Sequence, residues 1–102
     1  MPCAIHTWTA IASTSDSGRK LAVVGKGECT RAGYKLSLKP GNKGIDPNPK
    51  EYVLELSITA PQGGVDVSIA TSVQFESKVG SEVTFVTIRA PGGNQRVDIR
   101  EV

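Results

Sequence analysis

The chain of 102 residues has the length of one ordinary domain. Hydrophobic residues make up 38% and charged residues 22% of it, which is typical of a globular protein and excludes a disordered segment. The longest uninterrupted apolar run, Leu21 to Val24, is too short to cross a bilayer. We therefore expect a single domain over residues 1–102 with no membrane partner.

The net charge of +2 is unevenly distributed along the chain. Residues 1–50 contain eight Lys and Arg and three acidic residues, whereas residues 51–102 contain four and seven, so the halves carry +5 and −3. Such asymmetry arises either from a basic binding face or from oppositely charged strands that pair with each other. We favour paired strands.

Strands are predicted wherever apolar residues alternate with polar ones, because successive side chains of a strand point to opposite faces. Segments rich in Gly, Pro, Ser and Asn separate these runs and predict turns, and no stretch has the spacing of an amphipathic helix. In chain order, the predicted strands cover residues 5–12, 20–28, 34–39, 52–59, 65–76, 83–88 and 97–100.

Seven short strands in about 100 residues predict an all-β fold, a two-sheet antiparallel sandwich with an immunoglobulin-like or fibronectin-III-like layout. A small OB-like β-barrel of five strands is the alternative. The order Cys3, Trp8, Cys29 differs from the Cys, Trp, distant Cys of immunoglobulin domains, so the likeness is one of architecture only.

The segment 83–88 is apolar on both faces, since Val83 and Phe85 alternate with Val86 and Ile88. A sandwich core needs only one of these faces, so the other is covered either by a partner or by the loop from Pro40 to Pro49. We expect Val86 and Ile88 to form an interface, in a homodimer or with another protein. A monomer covered by its own loop is the alternative.

A basic stretch is the candidate site for a polyanionic ligand or single-stranded nucleic acid. Tyr34 and Tyr52 share the core side of their strands with leucines, so they are not available as stacking platforms. Glu51 and Glu55 could lie opposite the lysines of the neighbouring strand, and we therefore favour ion pairs on the sheet surface over nucleic-acid binding. The basic candidates are Arg31, Lys35, Lys39, Lys43 and Lys50.

The sequence contains no pattern typical of an enzyme, a metal site or a cofactor site. His6 is the only histidine, and on an extended strand it points away from Cys3. Gly25 and Gly27 lack the following helix that a dinucleotide site requires, so we expect them to mark a bulge or a close backbone approach. An enzyme would be favoured if His6 lay in a cleft beside a carboxylate.

The two cysteines and the first residues of the chain together indicate the cellular compartment of the protein. The first residues lack the basic and apolar segments of a secretory signal, so we expect a cytoplasmic protein whose cysteines are thiols. In a hairpin around residues 13–18, Cys3 and Cys29 would nevertheless lie nearly opposite, which is compatible with a disulfide. The expected function is that of a non-enzymatic protein-interaction or self-association module.

Overall fold

The computed structural model describes residues 3–41, 48–63, 66–90 and 93–102, and over these ranges the chain is all β. The all-β class predicted from the sequence is therefore confirmed. No helix with the length and apolarity needed to span a bilayer occurs among these residues. The strands are β1 (Cys3–Ser15), β2 (Gly18–Arg31), β3 (Lys35–Pro40), β4 (Glu51–Thr59), β5 (Asp66–Lys78), β6 (Phe85–Ala90) and β7 (Gly93–Glu101).

All seven strands belong to one mixed sheet in the order β3-β4-β6-β7-β1-β2-β5. The β1–β7 and β4–β6 pairs are parallel, and the other neighbours are antiparallel. The two outermost strands, β3 and β5, approach within 8 Å between Cα atoms, so the sheet curls into a nearly closed barrel. The predicted two-sheet antiparallel sandwich is therefore wrong.

Strand β7 is the reason that the sheet is continuous. Its first part pairs antiparallel with β6, from Gly93 opposite Ala90 to Asp98 opposite Phe85. Its last residues, from Ile99 onward, pair in parallel with β1 instead. Strand β7 is therefore shared by the two halves of the structure, which the sandwich prediction treats as two separate sheets. In its closure the sheet is nearer to the alternative, a small barrel, although it has seven strands rather than five.

Strand β1 is irregular because it contains a β-bulge at His6, where the pairing with β2 shifts by one residue. Before the bulge Cys3 and Ile5 pack inward, and after it Trp8 and Ala10 do so. An extra residue moves every later side chain to the other face of a strand. The bulge therefore explains why the alternation in this segment of the sequence changes from odd to even positions.

Two glycines of β2 accommodate β1 at this point. A Cβ atom at Gly27 would collide with the carbonyl oxygen of Ala4, next to the bulge. At Gly25 a Cβ atom would lie only 2.6 Å from the ring of Trp8. The prediction that these glycines mark a bulge or a close backbone approach is confirmed for Gly27, which lies against the backbone of Ala4 and Ile5 beside the bulge.

The bulge also aligns the two cysteines. Between the bulge and the turn, the residue numbers of paired positions add up to 33, as for Ala12 and Leu21. On the other side of the bulge they add up to 32, as for Cys3 and Cys29. Without the extra residue, Cys3 would stand opposite Thr30. The two cysteines are joined in a disulfide, so the prediction that they are thiols is wrong.

The core fills the barrel with buried aliphatic side chains from six strands, β1, β2, β4, β5, β6 and β7. Its fully buried members include Leu21, Val23, Leu54, Val86 and Ile88, all at 0% exposure. Burying each such side chain stabilises the fold by about 1.5–3 kcal/mol. The core therefore draws on β2, β4 and β6 together and not on either half of the sheet alone.

Arg19, at the start of β2, ties one end of the barrel together. Its Nη1 donates hydrogen bonds to the carbonyl oxygens of Gly80 (2.7 Å) and Val83 (2.8 Å). Its Nη2 pairs with the carboxylate of Glu101 at the end of β7. The Arg19 side chain is only 10% exposed, whereas Glu101 is 58% exposed, so the guanidinium is shielded from water and the carboxylate is not.

We predict that Arg19→Ala lowers the free energy of unfolding by about 2–3 kcal/mol, since hydrogen bonds to a charged group contribute about 1.5–3 kcal/mol and are not additive. Urea denaturation of the variant and the wild type measures the difference. Lys20→Ala is the matched control, because Lys20 pairs with Glu76 at 2.7 Å but both side chains are more than half exposed. Its cost should stay below about 1 kcal/mol. Equal costs for the two variants would contradict the role assigned to Arg19.

Candidate functional site

Val86 and Ile88, the predicted interface residues, lie inside the barrel. Both have 0% exposure and pack in the hydrophobic core with Leu54. The sequence correctly indicates a strand with two apolar faces, but the inner face is the one that carries Val86 and Ile88. Their assignment to an exposed interface is therefore wrong, and any association must use another surface.

The outer face of β6 is covered by neighbouring strands. The guanidinium of Arg96 on β7 lies over the ring of Phe85, 4.2 Å from its centroid. Thr87 donates a 2.6 Å hydrogen bond to the carboxylate of Glu51. Stacking of a cation on an aromatic ring shields the apolar face and adds a favourable electrostatic contact. The loop proposed as the alternative cover lies mostly outside the described residues, since 42–47 are not described.

The two outermost strands of the sheet differ in how they are protected. An unpaired strand edge invites another chain unless lysines, prolines or bulges blunt it. Strand β3 carries Lys35, Lys39 and Pro40 and is protected in this way. Strand β5 has no charged residue and no proline from Val67 to Phe75. Of the two outermost strands, β5 is therefore the one whose edge lacks these protections, although β3 approaches it within 8 Å between Cα atoms.

One end of β5 also exposes apolar side chains. Val67 is 46% exposed and Ile69 is 38% exposed, although Ile69 lies on the side of the strand that carries the buried Val73. Val67 lies where the pairing of β5 with β2 shifts, between Asp66 and Ile69. Val67 and Ile69 were both expected in the core from their alternation. They reach beyond the region that the shorter strands cover, because β3 has six residues and β5 has thirteen. The result is an apolar patch at the end of an unprotected edge.

Two of the basic candidates, Lys35 and Lys39, lie towards opposite ends of β3. Lys35 stands opposite Thr59 at the start of β3, and Lys39 stands opposite Glu55 four residues further on. Four residues of strand span about 13 Å. The predicted pairing of a lysine with Glu55 is therefore confirmed at the level of register, whereas Glu51 contacts Thr87 instead. Arg31 ends β2, Lys50 precedes β4, and Lys43 lies outside the described residues.

His6 does lie beside a carboxylate, the condition under which an enzyme would be favoured. Its Nε2 is 3.5 Å from Oε1 of Glu28, and the hydroxyl of Ser68 donates a 2.7 Å hydrogen bond to Oε2 of the same carboxylate. In a serine triad the imidazole stands between hydroxyl and carboxylate and accepts the hydroxyl proton. Here the carboxylate lies between the imidazole and the hydroxyl, so the order of the three groups differs from that of a serine triad.

Side chains that could hold a metal are not clustered in the described ranges. Within residues 3–41, 48–63, 66–90 and 93–102, no three His, Cys, Asp or Glu residues come together in a group of that kind. Cys3 and Cys29 are bonded to each other and His6 contacts Glu28.

Comparison with known proteins adds no constraint on the function. No family model matches the chain, and neither a curated protein nor a solved structure is significantly similar to it. The geometry of the surface is therefore the basis for the proposal that follows.

Proposed function

We propose that the protein is a non-enzymatic interaction module that associates with a second copy of itself through the edge of β5. The observation that carries this proposal is the uncharged, proline-free run from Val67 to Phe75 on an outermost strand. Backbone N–H and C=O groups on such an edge can form a ladder with another strand. The sequence predicts a protein interface on β6, and this proposal assigns the interface to β5 instead.

A second copy suits this edge because an antiparallel pair of β5 strands has two-fold symmetry. Two-fold dimers are the commonest soluble oligomers, and they place the same patch of both subunits in contact. Pairing centred near Ile69 would bring the exposed Val67 and Ile69 of both copies together. It would set no like charges opposite each other between residues 67 and 75, because that run has none.

We predict that the wild type sediments at twice the 10.8 kDa mass of the chain at micromolar concentration, and that Val67→Glu sediments as a monomer. With the pairing centred near Ile69, residue 67 stands opposite Thr71 of the second copy, so a glutamate there places a charge in the apolar contact around Ile69 and destabilises the dimer. The fold should be retained, because Val67 is 46% exposed and surface substitutions change stability by about 0.5 kcal/mol or less. Sedimentation equilibrium measures both proteins.

Val102→Glu is the control, since it makes the same substitution at a valine that is 75% exposed and lies outside β5. It should leave the dimer intact. A wild type that remains monomeric at every concentration would exclude self-association, and a Val67→Glu protein that still dimerises would exclude β5 as the contact.

Salt dependence separates this proposal from the alternative of a polyanionic ligand or nucleic acid bound through the region 31–50. Strand pairing depends on backbone hydrogen bonds and apolar burial, so it should change little when salt is raised. Binding to phosphates releases counterions and weakens steeply with salt. The separation of Lys35 from Lys39 along one short strand supports strand pairing over a basic groove.

The setting in which the module works stays a prediction. Disulfides persist in oxidising compartments and are rare in the cytosol, so the bonded cysteines support an oxidising compartment over the expected cytoplasmic one. That the protein is not an enzyme also stays a prediction. His6 and Glu28 are close enough to interact, and a histidine beside a carboxylate is a feature that would favour an enzyme.

A further inference from the structure

A cavity of about 380 Å³ opens at the end of the barrel next to the disulfide. Its walls come from three different strands, with Ile5 and Trp8 from β1, Leu56 and Ile58 from β4, and Ile88 from β6. The disulfide-bonded Cys3 completes the apolar lining. Ligand sites are commonly concave, mainly apolar and located in the mouths of β-barrels.

No charged residue lines this cavity. Its polar groups come from the start of β7, where Gln95 lies on the same face of the strand as the buried Val97 and contributes its amide side chain at the rim. Three other depressions of the described surface each include charged or titratable side chains, such as Arg19, Lys35 and His6. The lining therefore disfavours charged ligands, and a ligand can form hydrogen bonds with side chains only at the rim.

Trp8 gives the cavity a rigid aromatic wall. Its ring packs so closely on Gly25 that any side chain there would collide with it. An aromatic ring supplies a large contact area, and pairs of aromatic rings gain energy beyond their burial. Because the glycine is on the neighbouring strand, the position of the ring follows from the β1–β2 register and does not require a ligand.

We infer that this cavity binds a small, uncharged, mainly apolar ligand, a bicyclic aromatic with one hydrogen-bonding group. An engineered apolar cavity of about 150 Å³ binds benzene, so a space of this size holds a larger ring system. The ring system lies against Trp8 and the aliphatic wall, and its polar group reaches the side-chain amide of Gln95. This site is separate from the β5 edge, so it does not depend on self-association.

The test titrates the ¹⁵N-labelled wild-type protein with 1-naphthol and follows its amide spectrum. We expect saturation at one equivalent, with shifts concentrated at the indole N–H of the single tryptophan and at the side-chain amide of Gln95, and smaller shifts at the side chain of Asn94, which lies on the opposite face of β7. The charged analogue 1-naphthalenesulfonate should bind at least tenfold more weakly, because an ion loses hydration in an uncharged apolar site.

Ala90→Phe should weaken the binding of 1-naphthol at least tenfold, since Ala90 lines the cavity and the larger side chain fills it. Ala4→Phe is the control, because Ala4 is exposed on the other side of β1 and should leave affinity within twofold. The inference is overturned if 1-naphthol does not saturate, if its shifts lie elsewhere, or if the sulfonate binds equally well. These three results need only the wild type, so the test does not depend on whether Ala90→Phe folds.

Discussion

Val86→Glu is expected to unfold the protein. Val86 has 0% exposure and packs in the core, so the glutamate would be buried without a partner among the aliphatic side chains that surround it. An unpaired buried charge costs several kcal/mol, and whole domains are stable by only about 5–15 kcal/mol. Circular dichroism should show loss of the β spectrum, or urea denaturation should show a loss of about 5 kcal/mol or more.

Val67→Glu is the matched comparison because it makes the same chemical change at an exposed valine. The two variants should separate cleanly, with Val86→Glu losing the fold and Val67→Glu losing only the dimer. A folded, monomeric Val86→Glu protein would mean that the side chain faces outward, as expected from the sandwich arrangement, and that the barrel register is wrong.

Reduction of the Cys3–Cys29 disulfide is expected to lower the free energy of unfolding by about 3.5 kcal/mol. The two residues are 26 positions apart, and a cross-link over that span removes conformational entropy from the unfolded chain by about this amount. Urea denaturation with and without a phosphine reductant measures the difference. The urea dependence should also steepen after reduction, because the open unfolded chain exposes more surface.

The double variant Cys3→Ala/Cys29→Ala serves as the control. Its stability should be the same with and without reductant, and close to that of the reduced wild type. If the reductant leaves the wild type unchanged, thiol labelling of the untreated protein will distinguish free cysteines from a disulfide that contributes no stability. Free cysteines would support the cytoplasmic location.

The positions of the strands were predictable because alternation is a local property of the chain. The predicted strand 52–59 corresponds to Glu51–Thr59, and 65–76 corresponds to Asp66–Lys78. Which strands are neighbours was not predictable, because alternation is the same whether β7 pairs with β6 or with β1. The sandwich prediction failed for this reason, and the error about Val86 and Ile88 followed from it.

The sequence indicates only partly that β5 is an edge at which another strand can pair. The run from Val67 to Phe75 has no charge and no proline, but the same run in a central strand would have no consequence. Its meaning depends on the position of β5 at the margin of the sheet. The cover of Phe85 by Arg96 likewise depends on the register of the β6–β7 pair, in which Phe85 stands opposite Asp98 and Thr87 opposite Arg96.

The pairing of β1 with β7 also constrains the order in which the protein folds. Ala10 and Ile99 are partners although 89 positions (99 − 10) separate them. A contact over so long a span forms only after a large loop has closed, which slows folding. Until β7 has been synthesised, β1 and β6 each lack a neighbour, and incomplete sheets with free edges are prone to aggregate. The risk of aggregation from these two unpaired strands therefore ends only when β7 has been synthesised and pairs with them.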